Sequence, residues 1–401
     1  MAGEKVTRYT LVLPLLGLML NLAACSEKRA SMPLGQSDFA TYRTETLAWL
    51  EERRDFQTQD RVAELAWNAP REWLPEPPPE KGILLVHGLG DSPWSFTDIA
   101  PILVRKGFLV RTVLLPGCGT RPSDMIGVSA DDWRRVVAEQ VAVLQREVHH
   151  VYLGGFSTGG NLALEYAYAH PEIRGLILFS PGFKSDEPLD FLAPLASLFS
   201  DWLMDPDSGF PRQDAMRYAI VPTDGFAQFY HTSASVRRLL RKSPFDRPVA
   251  IVLAEHDSVL DVNFILNLFD TAFTHPHSRL IWYGSPVAGH SKRVLFQPDA
   301  LPEWRISSFS HMGMLFSPAN EAYGVDGAYR ICRNGQPKED YRKCLAGEEV
   351  WYSAWGYVQE GRTHARLTFN PYFDWQADVI LRVLEGAEEA QATASRPKAL
   401  K

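Results

Sequence analysis

The stretch Val151-Tyr152-Leu153-Gly154-Gly155-Phe156-Ser157-Thr158-Gly159-Gly160-Asn161-Leu162-Ala163-Leu164 joins a short apolar run to a helical pattern through a turn with one serine between glycines. Val151 to Gly154 reads as a buried strand, and Asn161 to His170 has the length of a helix. A serine on a sharp strand-to-helix turn is held out on strained backbone, which only small neighbours let pass. Gly155 and Gly159 therefore mark Ser157 as a candidate nucleophile. The glycine spacing alone is common in ordinary turns; the strand before it and the helix after it carry the reading.

Working outward, similar apolar runs recur at Ile83 to Val86, Leu109 to Leu115, Leu176 to Ser180, Val249 to Ala254 and Leu280 to Tyr283. Amphipathic stretches such as Asp131 to Val148 lie between them. Strands alternating with helices read as an α/β fold, a mostly parallel doubly wound sheet. Two segments break the rhythm: Phe183 to Phe245, expected to be an inserted cap, and Ser285 to Arg305, with polar loop signals. A third, Ser317 to His364, reads as an irregular loop. Before the sheet, Ser26 to Gln36 looks like a tether and Asp38 to Ala66 is helical in composition, ended by prolines Pro75 to Pro79. The expected organisation is a signal peptide over 1–24, a tether and helical extension over 25–78, one catalytic domain over 79–390 and a flexible tail over 391–401.

A second motif, His87-Gly88-Leu89-Gly90, follows the strand ending at Val86. A tetrahedral intermediate needs preorganised N–H donors, and the backbone N–H groups of Leu89 and Thr158 are placed to supply them. His87 reads as a packing residue at a strand end. The segments Leu85 to Leu89, Leu115 to Gly119, Asp132 with Trp133, and Gly155 to Gly160 resemble the matching blocks of bacterial carboxylesterases and monoacylglycerol lipases of the α/β-hydrolase superfamily. Cys118 stands where that family often has a histidine. The resemblance covers Gly82 to His311 and implies the order nucleophile, acid, histidine along the chain.

The acid is then expected after Val249 to Ala254, where Glu255, His256, Asp257 and Asp261 are available. Asp257 best resembles the family's acid turn, and Asp261 is better placed to cap the next helix. For the histidine, His311 in Phe309-Ser310-His311-Met312-Gly313 resembles the end of esterases and monoacylglycerol lipases; His290, nearer the strand, competes with it. No metal ligand set stands out, since no histidine pair at i, i+4 has a glutamate beside it, and the implied chemistry needs no cofactor.

At the N-terminus, Lys5 and Arg8 precede the apolar run Tyr9 to Leu22, and Ala23 and Ala24 precede Cys25. This is the layout of a signal peptide, too short for a spanning helix. Leu22-Ala23-Ala24-Cys25 resembles a lipobox, which implies acylation of Cys25 and, with Ser26 rather than Asp next, a place in the bacterial outer membrane. In an exported protein Cys332 and Cys344 are close enough in sequence to form a disulfide, leaving Cys118 unpaired.

A net charge of −7, without a basic stripe, argues against a nucleic-acid partner. Phe191, Leu192, Leu195, Leu198, Phe199, Trp202, Leu203 and Met204 form an apolar set at near-helical spacing, expected either to line an acyl pocket or to pack the cap on the sheet. Three readings follow. The first is a serine hydrolase of medium- or long-chain acyl esters such as monoacylglycerols or lysophospholipids. The second is an aminopeptidase or amidase on the same fold, and the third is a non-catalytic surface lipoprotein.

Overall fold

The computed structural model describes residues 31–76 and 78–394. Contacts divide the chain into a short unit, Met1–Met32, and a large one, Pro33–Lys401, which is described below. Cys25 and the expected signal peptide lie outside the described residues.

In chain order the elements are α1 (Phe39–Arg53), α2 (Arg61–Asn68), β1 (Glu72–Trp73), β2 (Lys81–Val86), α3 (Ile99–Arg105), β3 (Phe108–Val113), α4 (Ala130–Gln145), β4 (His150–Phe156), α5 (Thr158–Ala169) and β5 (Leu176–Phe179). After these come a single turn α6 (Ala193–Ala196), α7 (Thr223–Lys242), β6 (Val249–Ala254), α8 (Val262–Ala272), β7 (Arg279–Tyr283), β8 (Val294–Gln297), α9 (Lys338–Leu345), β9 (Trp351–Ser353), β10 (His364–Arg366) and α10 (Phe373–Ala394).

The first eight strands form one sheet in the order β1-β3-β2-β4-β5-β6-β7-β8. β1 runs antiparallel to β3, and every other pairing in the sheet is parallel. Strands β3, β5 and β6 are buried along their whole length. Burial on both faces is why they read as unbroken apolar runs. Helices make the crossovers: α5 packs on β4, α7 on α5, and α10 on β6, β7 and α3.

Four parts differ from expectation. The segment 285–305 carries β8, an edge strand that is mostly half-buried and so lacks a strong apolar run. The second part of 183–245 is α7, a crossover helix packed against α5, so the inserted cap is shorter than the sequence suggests. The loop 317–364 holds α9 and the parallel pair β9 and β10; within it Cys332 and Cys344, the pair named from the sequence, are joined by a disulfide. Helix α10 runs to Ala394, so the first residues of the expected tail are helical.

The N-terminal helices are built into the body rather than hung from it. Buried Arg54 pairs with Glu64 at 2.8 Å, and its guanidinium also donates to the carbonyls of Gly119 and Ala215. The Tyr42 hydroxyl accepts from the Leu114 N–H at 3.0 Å. A buried pair saturated with further hydrogen bonds fixes geometry more than it adds stability.

Candidate active site

Ser157 lies between β4 and α5 with φ 53° and ψ −116°, a conformation that L-residues rarely adopt. Its neighbours show why the turn needs glycine. A Cβ on Gly159 would stand 1.9 Å from the Val86 carbonyl oxygen, and one on Gly155 would stand 2.3 Å from the Gly159 backbone. The Ser157 N–H donates to the Phe179 carbonyl at 3.0 Å, which pins the turn to β5. The strain is thus held by close backbone packing on both sides.

Thr158 opens α5, so its N–H has no acceptor within the helix. Leu89, in the turn after β2, lies at the same end of the sheet, since β2 and β4 are parallel. Neither N–H donates to an acceptor among the described residues. That turn is held by buried His87, whose Nε2 accepts from the Leu115 N–H at 3.0 Å while its Nδ1 lies 2.8 Å from the Gly88 carbonyl. The pair of bonds requires a neutral ring with its proton on Nδ1. Burial pushes the His87 pKa down, in the same sense. Cys118 is buried and unpaired, its thiol pushed up to about 12 by burial.

Asp257 sits past the end of β6 with its side chain fully buried. One carboxylate oxygen accepts the Val259 and Leu260 N–H groups at 2.9 and 3.2 Å, and the other meets His311 Nδ1 at 2.6 Å. Asp261 caps α8 by accepting the Phe264 N–H and pairs with Lys184. Asp261 thus serves as the cap of α8, while Asp257 meets His311. His311 packs its ring 4.9 Å from that of Phe156, the residue before Ser157. No hydrogen bond joins Ser157 Oγ to His311 among the described residues; such contacts are often long without substrate and tighten when it binds.

His290 is carried elsewhere. β7 and β8 are parallel, so the chain between them returns to the strands' N-terminal edge, where the Leu280 N–H donates to the Arg293 carbonyl. Ser291, beside His290, bonds Asp270 of α8. Ser157 stands at the opposite edge, after β4. Among the described residues Glu255, His256 and Asp299 are the group able to hold a metal, with ligand atoms within 4.8 Å of one another. Their atoms already serve the fold: His256 bonds Asp299 at 2.5 Å, and Glu255 accepts the Ser285 N–H at 2.6 Å.

A parallel sheet with one antiparallel edge strand carries a strained serine at the tip of β4, an acid after β6 and a histidine beyond β7. The chain has the α/β-hydrolase fold. A family profile described as "Serine aminopeptidase, S33" matches residues 77–218. Over 96 residues the chain is 34% identical to the thermostable monoacylglycerol lipase of Bacillus sp. (strain H-257), a match spanning 24% of this chain and 38% of that protein. Among solved structures, the metagenome-derived lipolytic enzymes LipS and LipT are similar at 21% identity and TM-score 0.45, covering 54% of this chain and 86% of theirs. A soluble variant of the Saccharomyces cerevisiae monoglyceride lipase is similar at 20% identity and TM-score 0.43, covering 57% and 85%.

The apolar set of the inserted segment does not do what its spacing suggests. Phe191, Leu192, Leu195, Leu198, Phe199, Leu203 and Met204 are exposed, Leu198 and Phe199 at 75% and 82%. The reason is local: α6 is one turn, Ala193–Ala196, with Pro194 within it, and the chain then bends, so the residues share no single helical face. Three arginines with no local sequence signature stand around His311: Arg217 reaches Met312, Arg366 precedes Leu367, whose carbonyl accepts from Ser310, and Arg333 precedes Asn334, which Arg366 bonds.

Proposed function

We propose that this chain is a serine hydrolase of carboxylic esters. The 2.6 Å bond between His311 Nδ1 and Asp257, with His311 packed on the residue that precedes Ser157, is the observation that carries the reading. Ser157 Oγ attacks the acyl carbonyl and passes its proton to His311 Nε2, while Asp257 holds the Nδ1–H and favours the charged ring. The oxyanion is met by the N–H groups of Leu89 and Thr158, which are left free for it. His311 then protonates the leaving alkoxide, and water releases the acyl group by the same steps reversed.

A medium- or long-chain acyl ester is the proposed substrate class. The likeness to a monoacylglycerol lipase supports it, as does the exposed apolar segment, since such surface is rarely left facing water without a use. The family profile's name raises the amide alternative. The test is kcat/KM on p-nitrophenyl acyl esters of graded length against aminoacyl p-nitroanilides. Esters are expected to be cleaved with an optimum beyond butyrate, and cleavage of the anilides alone would overturn the ester reading.

Export and acylation of Cys25 in the bacterial envelope belong to the same proposal. The Cys332–Cys344 disulfide supports it, because such bonds persist outside the cytosol. Incorporation of labelled palmitate, expected in the wild type and absent from Cys25→Ser, tests it; equal labelling of both would contradict it.

A further inference from the structure

The catalytic reading makes no use of the three arginines. Arg217, at the end of the inserted segment, sets its Nη1 against the sulfur of Met312, the residue after His311. Arg366 on β10 donates from Nε to the Asn334 Oδ1 at 2.6 Å. Arg333 lays its guanidinium over the Phe210 ring at 4.5 Å, and its Nη1 is buried with no hydrogen-bond partner. The carbonyl of Leu367, next to Arg366, accepts the hydroxyl of Ser310 beside His311 at 2.6 Å, and the Asn334 that Arg366 bonds follows Arg333 in the chain; burial first, then Arg217, pushes the Arg366 pKa down to about 9.

None of the three forms an ion pair with a carboxylate among the described residues. Asp214 lies beside Arg217 in the chain. Its carboxylate, however, accepts the Met216 and Arg217 N–H groups and the Tyr323 hydroxyl. Asp257 is engaged by His311 and two backbone N–H groups. Stapling loops would account for the contacts with Phe210 and Asn334. It would not account for three like charges converging with a buried donor left over, an arrangement that loses free energy on both counts. A guanidinium presents a planar fork that fits a carboxylate or phosphate with two bonds, and several such forks beside a reaction centre make an anion site.

We propose that Arg217, Arg333 and Arg366 form an anion subsite beside His311 and Asp257, and that the ester cleaved by this chain carries a carboxylate or phosphate close to the scissile bond. The inference rests on the ester-hydrolase reading and names its substrate class more narrowly. It places the negative group on the side of the site bounded by Met312 and Phe210.

The test compares matched pairs of substrates on the full chain: 1-acylglycerol 3-phosphate against 1-acylglycerol, and mono-p-nitrophenyl glutarate against p-nitrophenyl butyrate. The wild type is expected to favour the anionic member of at least one pair tenfold or more in kcat/KM, and the pair that responds tells phosphate from carboxylate. Arg333→Gln and Arg217→Gln should lower that preference at least tenfold, with Arg333→Lys keeping part of it. Equal use of both members in both pairs, or a preference that the arginine changes leave intact, overturns the proposal. Inorganic phosphate provides an arm independent of turnover: it should raise the wild-type Tm and not that of Arg333→Gln, and a shift equal in both or absent in both counts against the site. Neutral esters, cleaved or refused, test the hydrolase reading separately.

Discussion

Ser157, Thr158 and Leu89 stand on backbone at the ends of β4 and β2 that contacts tolerable only to glycine hold in place, whereas Asp257, in a tight turn just past β6, meets a His311 brought by the long chain after β8. On the first side the constraint is steric and local: a Cβ on Gly159 would sit 1.9 Å from Val86. On the second it is assembled from hydrogen bonds, two N–H groups onto one oxygen of Asp257 and one imidazole onto the other. The steric side has no freedom in which residues build it. The assembled side can be reached by many routes through the chain, and here the route includes an extra strand, β8, before His311 arrives. One half of the site therefore tolerates almost no substitution, while the other tolerates insertions provided that one carboxylate and one imidazole still meet.

The largest effect expected from this contrast is on the assembled side. Asp257→Asn leaves the shape but reverses the hydrogen-bonding sense at Nδ1, and kcat on an ester should fall about ten-thousandfold with the fold intact by circular dichroism. A loss of only a few-fold would mean that another acid orients His311. His290→Ala, at the opposite edge of the sheet, should leave kcat/KM as in the wild type.

On the steric side, Gly159→Ala should fail as a fold rather than as a catalyst. Thermal or denaturant unfolding is expected to show a loss of more than about 3 kcal/mol, in the range reserved for overpacking and backbone strain. A stable variant that is merely slow would break the distinction drawn between the two sides.

Smaller effects sharpen it. Removing the disulfide by Cys332→Ser with Cys344→Ser opens a loop of 12 residues, and the loss in unfolding free energy should be about 3 kcal/mol. The loop starts beside Arg333 and holds most of α9, so the anion preference should suffer more than neutral-ester turnover. The smallest effect is a matter of pH. The hydrogen bond to Asp299 raises the His256 pKa, so its stabilising contribution is full below the ordinary value near 6.5 and is lost as pH rises through the raised folded value. His87, lowered by burial, acts in the opposite sense: what it contributes above pH 6.5 is lost as pH falls through that value. In a Tm series from pH 5 to 9, His256→Asn should lower Tm most below pH 6.5 and least at the alkaline end, flattening the decline between them.

The same contrast explains what could be read from sequence. Ser157, Gly155 and Gly159 are forced identities at fixed spacing, and the buried strands announce themselves as apolar runs. β1 is two residues long and β8 is a half-buried edge, so neither has an apolar run to announce. The exposed residues from Phe191 to Met204 mislead because periodicity implies a helix, whereas Pro194 and the bends after it scatter the residues over several faces. The choice between His311 and His290 depended on which edge of the sheet a loop returns to, and that follows from the parallel pairing of β8, which no local pattern encodes. The arginine cluster is drawn from three segments far apart in the chain and had no local signature.

The role of Ser157 as the nucleophile is read out by labelling with a fluorophosphonate followed by peptide mapping. One adduct on the peptide containing Ser157 is predicted in the wild type, none in Ser157→Ala, and much slower labelling in His311→Ala. An adduct of equal yield in Ser157→Ala, or a wild type that takes none while folded, would contradict it.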